Sequence, residues 1–343
     1  MQLLEMTLDE LRKVLVDEGY EKYRASQIFD WIYKKKVLNF SNMTNLPKDF
    51  RKFLSGTFRY PEMTIVRRSL SKIDGTEKFL WKLHDGEFIE SVILRHPDHT
   101  TFCISTQVGC QLGCIFCATG MSGFKRNLSV SEIVGQVIFM EKSMGKNVTN
   151  IVFMGMGEPF LNTDNVFKSI EILHEPAGRN LGIRHFTIST AGIPEGIIRL
   201  ADSGMDVRLS LSLHAATDEK RSMLMPINKR YNIQQLMASL EYYQRKTNRR
   251  ITIEYILIDG INDSIEDAKQ LAKLFKHLKI FVNIIAINPV VPTLKRPSRE
   301  KVERFAIELK KHGIEAAIRT EKGSDIDAAC GQLRRKNLQE ERA

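Results

Sequence analysis

No apolar run in this 343-residue chain approaches the roughly 20 residues needed to cross a membrane, so a membrane-spanning protein is not expected. The opening MQLLEMTLDE is acidic where a secretory signal would be basic, and the expected location is therefore cytoplasmic. Five cysteines are too few for a disulfide framework in a chain this long, and in a reducing compartment metal binding or catalysis is their expected use. Sequence repeats and low-complexity tracts are lacking as well, which excludes a repeat architecture. What is present, 43% hydrophobic and 27% charged side chains, suffices for one large α/β domain with a smaller one beside it.

Positive charge is in excess and unevenly spread. The formal net charge is +10, and residues 31–72 hold ten basic side chains (Lys34, Lys35, Lys36, Lys48, Arg51, Lys52, Arg59, Arg67, Arg68, Lys72) against two acidic ones, Asp49 and Glu62. Trp31, Tyr33, Phe40, Phe50, Phe53, Phe58 and Tyr60 are interleaved with them, a pattern suited to phosphate contacts beside stacking or packing surfaces. A solvated basic face over an ordinary aromatic core accounts for it equally well.

Thr7 and Glu10 have capping-box spacing and open a helix that lines up Leu8, Leu11, Val14 and Leu15 before Gly19 ends it. A second helix follows through Ala25, Ile28, Phe29 and Ile32. Alternating stretches over 63–70, 79–83 and 88–94 read as strands, the last two joined by the turn signal His84-Asp85-Gly86. This is a small α+β unit, with a boundary expected at His96-Pro97-Asp98. From Thr101 the pattern changes. Strands are expected at 101–106, 149–155, 184–190, 206–213, 250–258 and 281–287, alternating with helices near 130–144, 162–174, 194–203, 232–246, 264–278 and 298–312. Six β-then-α units predict a parallel sheet in an incomplete barrel, with a doubly wound open sheet as the alternative. In either, ligands gather at the carboxyl ends of the strands.

Directly after the first of these strands lies Cys110-Gln-Leu-Gly-Cys114-Ile-Phe-Cys117. The spacing lets three thiolates converge on one centre. Three ligands suit an iron-sulfur cluster with one iron left open, whereas a closed zinc site would need a fourth from elsewhere. A dithiol pair from Cys114 and Cys117 is the remaining reading. Other strands end in Gly155-Met156-Gly157-Glu158-Pro159, Ser189-Thr190, Ser212-Leu213-His214 and Asn288-Pro289. Glycines permit close backbone approach and Glu158 could accept from an ammonium group, although each segment taken alone is also a serviceable turn or helix cap.

CxxxCxxC with an aromatic residue before its last cysteine, followed by GMGEP after the next strand, resembles the radical S-adenosylmethionine superfamily. The strings FCISTQVGCQLGCIFCATG, MGMGEP, SLH, LMPINKRYNI and DIDAACGQL are similar to the adenine-C2 methyltransferases of 23S ribosomal RNA and transfer RNA. The likeness extends from about residue 5 to residue 336. It implies an α/β fold, an incomplete (β/α)6 barrel over 98–343 with a basic RNA-binding accessory domain over 1–97. It implies a 4Fe-4S cluster on Cys110, Cys114 and Cys117 whose open iron takes the amino and carboxylate groups of S-adenosylmethionine. Gly157, Glu158, Ser189, Ser212, Leu213, His214 and Asn288 would hold the rest of that cofactor.

The same resemblance gives roles to three residues that read otherwise as ordinary. Cys103 in an apolar strand and Cys330 beside two alanines look like buried small hydrophobes. Glu90 shares a face with Phe88, Val92 and Leu94, as either a desolvated base or an edge-strand charge. By resemblance Cys330 carries the methyl group, Glu90 accepts the C2 proton and Cys103 resolves the enzyme-RNA adduct. Adenine C2 lies between two ring nitrogens and is too electron-poor to attack a sulfonium methyl. The implied relay methylates Cys330 from one S-adenosylmethionine and cleaves a second to a 5'-deoxyadenosyl radical, which activates the S-methyl group for addition to C2. Attack by Cys103 on Cys330 then frees the RNA and leaves a disulfide. An external electron donor such as flavodoxin or ferredoxin, and a monomeric enzyme, are implied too. The rivals are a C8-specific 23S ribosomal RNA adenine methyltransferase with the same cysteines, and a zinc-stabilised, non-catalytic RNA-binding module.

Overall fold

The computed structural model describes residues 1–326. Its strands are β1 (Met63–Leu70), β2 (Glu77–Leu83), β3 (Phe88–Arg95), β4 (Thr100–Cys103), β5 (Gln107–Gly109), β6 (Phe124–Asn127), β7 (Asn150–Phe153), β8 (Phe186–Thr190), β9 (Arg208–Ser212), β10 (Ile251–Leu257), β11 (Ile280–Ala286) and β12 (Ala316–Ile318). Ten of them form one sheet in the order β1-β2-β3-β4-β7-β8-β9-β10-β11-β12, and β5 pairs with β6 as a separate hairpin. From β4 to β12 every neighbouring pair is parallel. From β1 to β4 the pairs are antiparallel. The two ends of the sheet do not meet, which leaves the barrel open as expected, with a three-residue seventh parallel strand that the alternation did not reveal.

Local signals explain why the helices stand where they do. Ser129 and Glu132 form a reciprocal capping box at the start of Val130–Met144, and Gly145 ends that helix in the left-handed region at φ +69°. Thr7 with Glu10, Asn232 with Gln235 and Ser264 with Asp267 make the same box at Leu8–Asp17, Ile233–Thr247 and Ile265–Leu274. Helices Thr163–His174, Pro194–Asp202 and Arg299–Lys311 complete the crossovers, and none among the described residues is long and apolar enough to span a membrane.

Strand register sorts side chains into two unlike faces. The face under the helices carries Phe79, Trp81, Ile89, Ile93, Phe102, Ile151, Ile188, Leu209, Leu211, Ile253, Tyr255, Val282 and Ile284, which belong to one continuous apolar core. The opposite face is polar: Lys78 and Glu90, Cys103, Thr187 and Ser189, Ser210 and Ser212, Glu254 and Asn283 follow one another across the sheet. A buried polar face of this kind is costly unless its groups find partners or a ligand.

Before β1, helices Leu8–Asp17, Tyr23–Phe29 and Lys48–Thr57 pack around buried Phe29, Tyr33, Phe40, Phe50 and Phe58. The aromatics interleaved with the basic stretch are thus mainly packing residues. Lys34, Lys35, Lys48, Lys52 and Arg59 stand exposed around them, whereas Lys36 turns inward and pairs with buried Glu141 at 2.5 Å. Across residue 97 the sheet continues without a break, since Val92 and Leu94 lie opposite Cys103 and Thr101.

Candidate active site

The polar face opens into a cavity of about 580 Å³ at the carboxyl ends of the parallel strands. Cys110, Cys114, Cys117, Gly157, Glu158, Ser189, Ser212, His214 and Asn288 all line it, so the structure brings together side chains spread over 179 positions of sequence. Leu213 is fully buried and does not line it, because the period of two turns it away from Ser212 and His214. Glu90 and Cys103 lie on the same sheet face but outside the cavity lining. Cys330 lies outside the described residues.

The cysteine loop leaves β5 through Gly109 at φ +78° and turns at Gly113, φ +65°. It is closed by the backbone: Cys110 N–H donates to Gly123 O at 3.0 Å, Cys117 N–H to Cys114 O at 3.1 Å, and Ile115 N–H to Leu224 O at 3.1 Å. Burial pushes the Cys110 thiol up to about 12 and raises Cys114 as well; the nearby Cys117 adds to both, and Cys110 adds to Cys114. Three thiols so close disfavour joint ionisation unless a cationic centre holds them, which is what a metal cluster supplies. Among the described residues, no group of three or more His, Cys, Asp or Glu side chains is arranged to hold a metal ion as it stands.

The GMGEP turn packs against the chain that follows β4. A Cβ on Gly155 would lie 2.6 Å from the Ile104 carbonyl, and one on Gly157, at φ +100°, 2.5 Å from Gln107 Cβ. Both positions therefore demand glycine. Glu158 comes next, only 3% exposed, with Oε1 accepting from Phe160 N–H at 3.1 Å and Oε2 from Ala191 N–H at 2.7 Å. Burial raises its carboxyl to about 7 against the pull of those amides. The carboxylate is oriented by backbone and keeps lone pairs for a cation.

His214 sits at φ +60° with its ring edge-on to Phe116, centroids 4.7 Å apart. Its Nδ1 accepts from Ile256 N–H at 3.1 Å, so the proton resides on Nε2. Burial, with Arg221 nearby, lowers its pKa to about 3 and keeps it neutral. Asn288 Oδ1 accepts from Arg296 at 3.1 Å at the rim.

Several residues escaped the sequence reading. Glu254 lines the cavity at 5% exposure; Ser210 and Asn283 donate to its Oε1 at 3.0 and 3.1 Å, and Arg319 lies 4.0 Å from Oε2. A carboxylate inside the β-branched run Ile251–Leu257 was the available signal. Lys78, fully buried, lies 3.6 Å from Glu90, which settles Glu90 as a buried, paired carboxylate rather than an exposed edge charge. Arg319, Glu321, Lys322 and Gly323 add a further wall.

Comparison with known proteins supplies the chemical context. The pattern of the Radical SAM superfamily matches residues 104–275, and that of the Ribosomal RNA large subunit methyltransferase N-terminal domain matches residues 1–59. A probable dual-specificity RNA methyltransferase RlmN of Thermotoga neapolitana is 55% identical over 334 residues, 97% of each chain. Its counterpart in Thermotoga maritima is 54% identical over 336 residues, 98% of each. The crystal structure of a radical SAM methyltransferase from Sphaerobacter thermophilus superposes with a TM-score of 0.93 at 45% identity, over 97% of this chain and 98% of that one.

Proposed function

We propose, from the premise that this chain belongs to the RlmN family of dual-specificity RNA methyltransferases within the radical SAM superfamily, that it methylates C2 of an adenosine in 23S ribosomal RNA and of the adenosine 3' of the transfer RNA anticodon. The superfamily works with a 4Fe-4S cluster and S-adenosylmethionine. The observation that carries the reading is the cavity in which three thiols, a backbone-oriented carboxylate and the polar ends of the parallel strands converge. When bound, the cluster and its cofactor supply radical chemistry, which an electron-poor carbon such as adenine C2 requires.

Cys110, Cys114 and Cys117 hold the cluster. Glu158 accepts from the cofactor ammonium, with its oxygens already aligned by Phe160 and Ala191 amides. His214 Nε2–H, the Ser189 and Ser212 hydroxyls and the Asn288 amide bond its remaining polar groups, Gly157 lets the backbone approach, and Leu213 contributes main chain. Cys330 accepts the methyl group as a thiolate, so two S-adenosylmethionine molecules are consumed per turnover. Glu90 removes the C2 proton, while the Cys103 thiolate attacks Cys330 sulfur. The S–S bond forms as the S–C bond breaks, and the electron pair stays with the departing carbon, which takes up a proton. The single unpaired electron of the adduct passes to the redox partner, and that partner, a carrier such as flavodoxin or ferredoxin, supplies the two electrons that reduce the disulfide for the next turnover. Residues 1–97 supply RNA affinity and 98–343 the chemistry, in a cytoplasmic monomer.

Mass spectrometry of nucleosides from 23S ribosomal RNA and transfer RNA after anaerobic reaction tests this. 2-Methyladenosine in both is expected. 8-Methyladenosine would move the enzyme to the C8 class, and a colourless, zinc-containing protein without product would leave only an RNA-binding module.

A further inference from the structure

The cysteine loop is fastened on both flanks to segments that reach the surface. The short helix Ala118–Met121 follows Cys117 and folds back over the loop, where a Cβ on Gly120 would lie 3.2 Å from Cys114 N. Phe124 opens β6 opposite Gly109, and Gly123 O, just before it, accepts from Cys110 N–H. On the other flank the Ile115 amide donates to Leu224 O at the end of helix Asp218–Leu224, which puts Met223 beside the loop. The cavity takes the inner side of the loop, with Cys110, Leu112, Cys114, Phe116 and Cys117. Its outer side is left with Ile115, Met121, Phe124 and Met223, every one at least 36% exposed and none lining the cavity. Segments 110–128 and 220–231, which carry these residues, hold six basic side chains and no acidic one. Arg221 is buried, and Arg126 and Lys220 are paired with Glu132 and Asp267, so Lys125, Lys229 and Arg230 are the exposed, positive charges of these segments.

We propose that the outer side of the cysteine loop is a docking surface for an acidic one-electron carrier protein, an inference that rests on reading an external donor such as flavodoxin or ferredoxin into the reaction. The thiols that face the cavity on one side are a single residue from solvent on the other: Ile115 follows Cys114, and consecutive Cα atoms are about 3.8 Å apart. Electron transfer between proteins falls off steeply with separation, so a carrier gains by touching the chain directly over these thiols. The cavity side is taken by S-adenosylmethionine, which leaves the outer side for the carrier. A small patch of Met, Ile and Phe with a positive rim suits the transient interface that electron-transfer partners form, below about 1,200 Å² in all. Apolar contact gives close approach, and the lysines steer an acidic partner and make its docking depend on salt. RNA fits this face less well. Three of its four apolar side chains have no ring on which a base could stack, and the larger concentration of positive charge lies in residues 31–72. In the transfer the carrier gives up one electron, as when a flavin hydroquinone anion becomes the neutral semiquinone, and no bond or proton changes place.

The test compares anaerobic wild-type holoenzyme with Met223→Glu and Lys125→Glu, which lie on elements that supply no thiol, and with Met223→Leu. Calorimetry reads the binding of oxidised flavodoxin and, in a parallel arm, oxidised ferredoxin. Stopped-flow absorbance reads the oxidation of each reduced carrier on mixing, for flavodoxin as semiquinone formed from the hydroquinone. Each glutamate variant should bind the carrier about tenfold more weakly and be reduced more slowly in proportion, while iron content, melting, RNA affinity and reduction by dithionite stay as in wild type. Met223→Leu should match wild type throughout. Because the two glutamates are introduced on separate elements, loss of iron from one variant leaves the other to decide. Unchanged carrier binding and reduction overturns the docking surface alone. So does weaker RNA binding with carrier binding intact, which would give this face to RNA. Wild-type enzyme that dithionite reduces but neither carrier does overturns the donor reading, and the docking surface with it.

Discussion

Lys34, Lys35, Lys48 and Lys52 stand in solvent on an aromatic core, whereas Cys114, Glu158 and His214 are buried together at the strand ends. Both regions concentrate charged or ionisable groups, but water screens the first set and is largely excluded from the second. Exposed charges act additively and through salt-dependent contacts with phosphate. Buried groups act singly, because each is held by specific neighbours and nothing replaces it.

The largest effect expected of this contrast is on the cysteine loop. Cys114→Ala should abolish iron binding, the brown colour of anaerobic protein and RNA methylation together, as read by iron and labile-sulfide analysis. Retained iron would show that the loop does not behave as a unit.

Opposite signatures are expected of the two remaining thiols. Cys330→Ala should give neither protein-bound methyl nor methylated RNA. Cys103→Ala should stall with RNA attached, as an RNase-sensitive band above the free enzyme on a denaturing gel. If both are merely packed thiols, each substitution costs roughly 1 kcal/mol of stability and no adduct forms.

Glu158 sharpens the contrast through pH. Its folded carboxyl, at about 7, lies above the ordinary glutamate value because of burial. Between pH 4.5 and 7 the folded state therefore binds more protons than the unfolded one, and stability of the cofactor-free protein falls as pH rises, by on the order of 3 kcal/mol. Glu158→Gln should flatten that slope in urea denaturation at stepped pH. A slope equal to wild type would mean that another group carries it.

The smallest effects belong to the basic segment. Neutralising Lys34, Lys35, Lys48 and Lys52 together should leave stability within about 0.5 kcal/mol and reduce the salt dependence of RNA binding by about one unit of slope for each phosphate that is no longer neutralised. Lys36→Met should differ from them, costing about 1–2 kcal/mol, because Glu141 is deprived of a buried partner. Equal behaviour of Lys36 and Lys35 in thermal melts would break the distinction.

Much of the fold was legible. Helices Val130–Met144, Thr163–His174 and Ile233–Thr247 begin at capping residues or a helical period visible in the sequence, and β8 to β11 fall within a few residues of their expected limits. The short strand β12 and the hairpin of β5 with β6 were not legible, since three or four residues carry too little alternation. In the site, the cysteine spacing and the GMGEP turn stood out because each is local. Glu254 and Lys78 did not, because a charge in an alternating strand reads alike whether it faces solvent or a cavity.

By itself, then, the sequence determined what depends on contacts within a few residues: helix starts, strand periods, the three-thiol loop and the glycines that its neighbouring turn requires. Only the tertiary structure decided which sheet face is polar, that Ser189, Ser212, Glu254 and Asn283 share it, that Lys36 turns inward while Lys35 does not, and that Asp325 meets the turn at Lys72. Those outcomes come from register and packing between segments tens to hundreds of residues apart, where slipping a strand by one position exchanges its faces while leaving its local pattern unchanged.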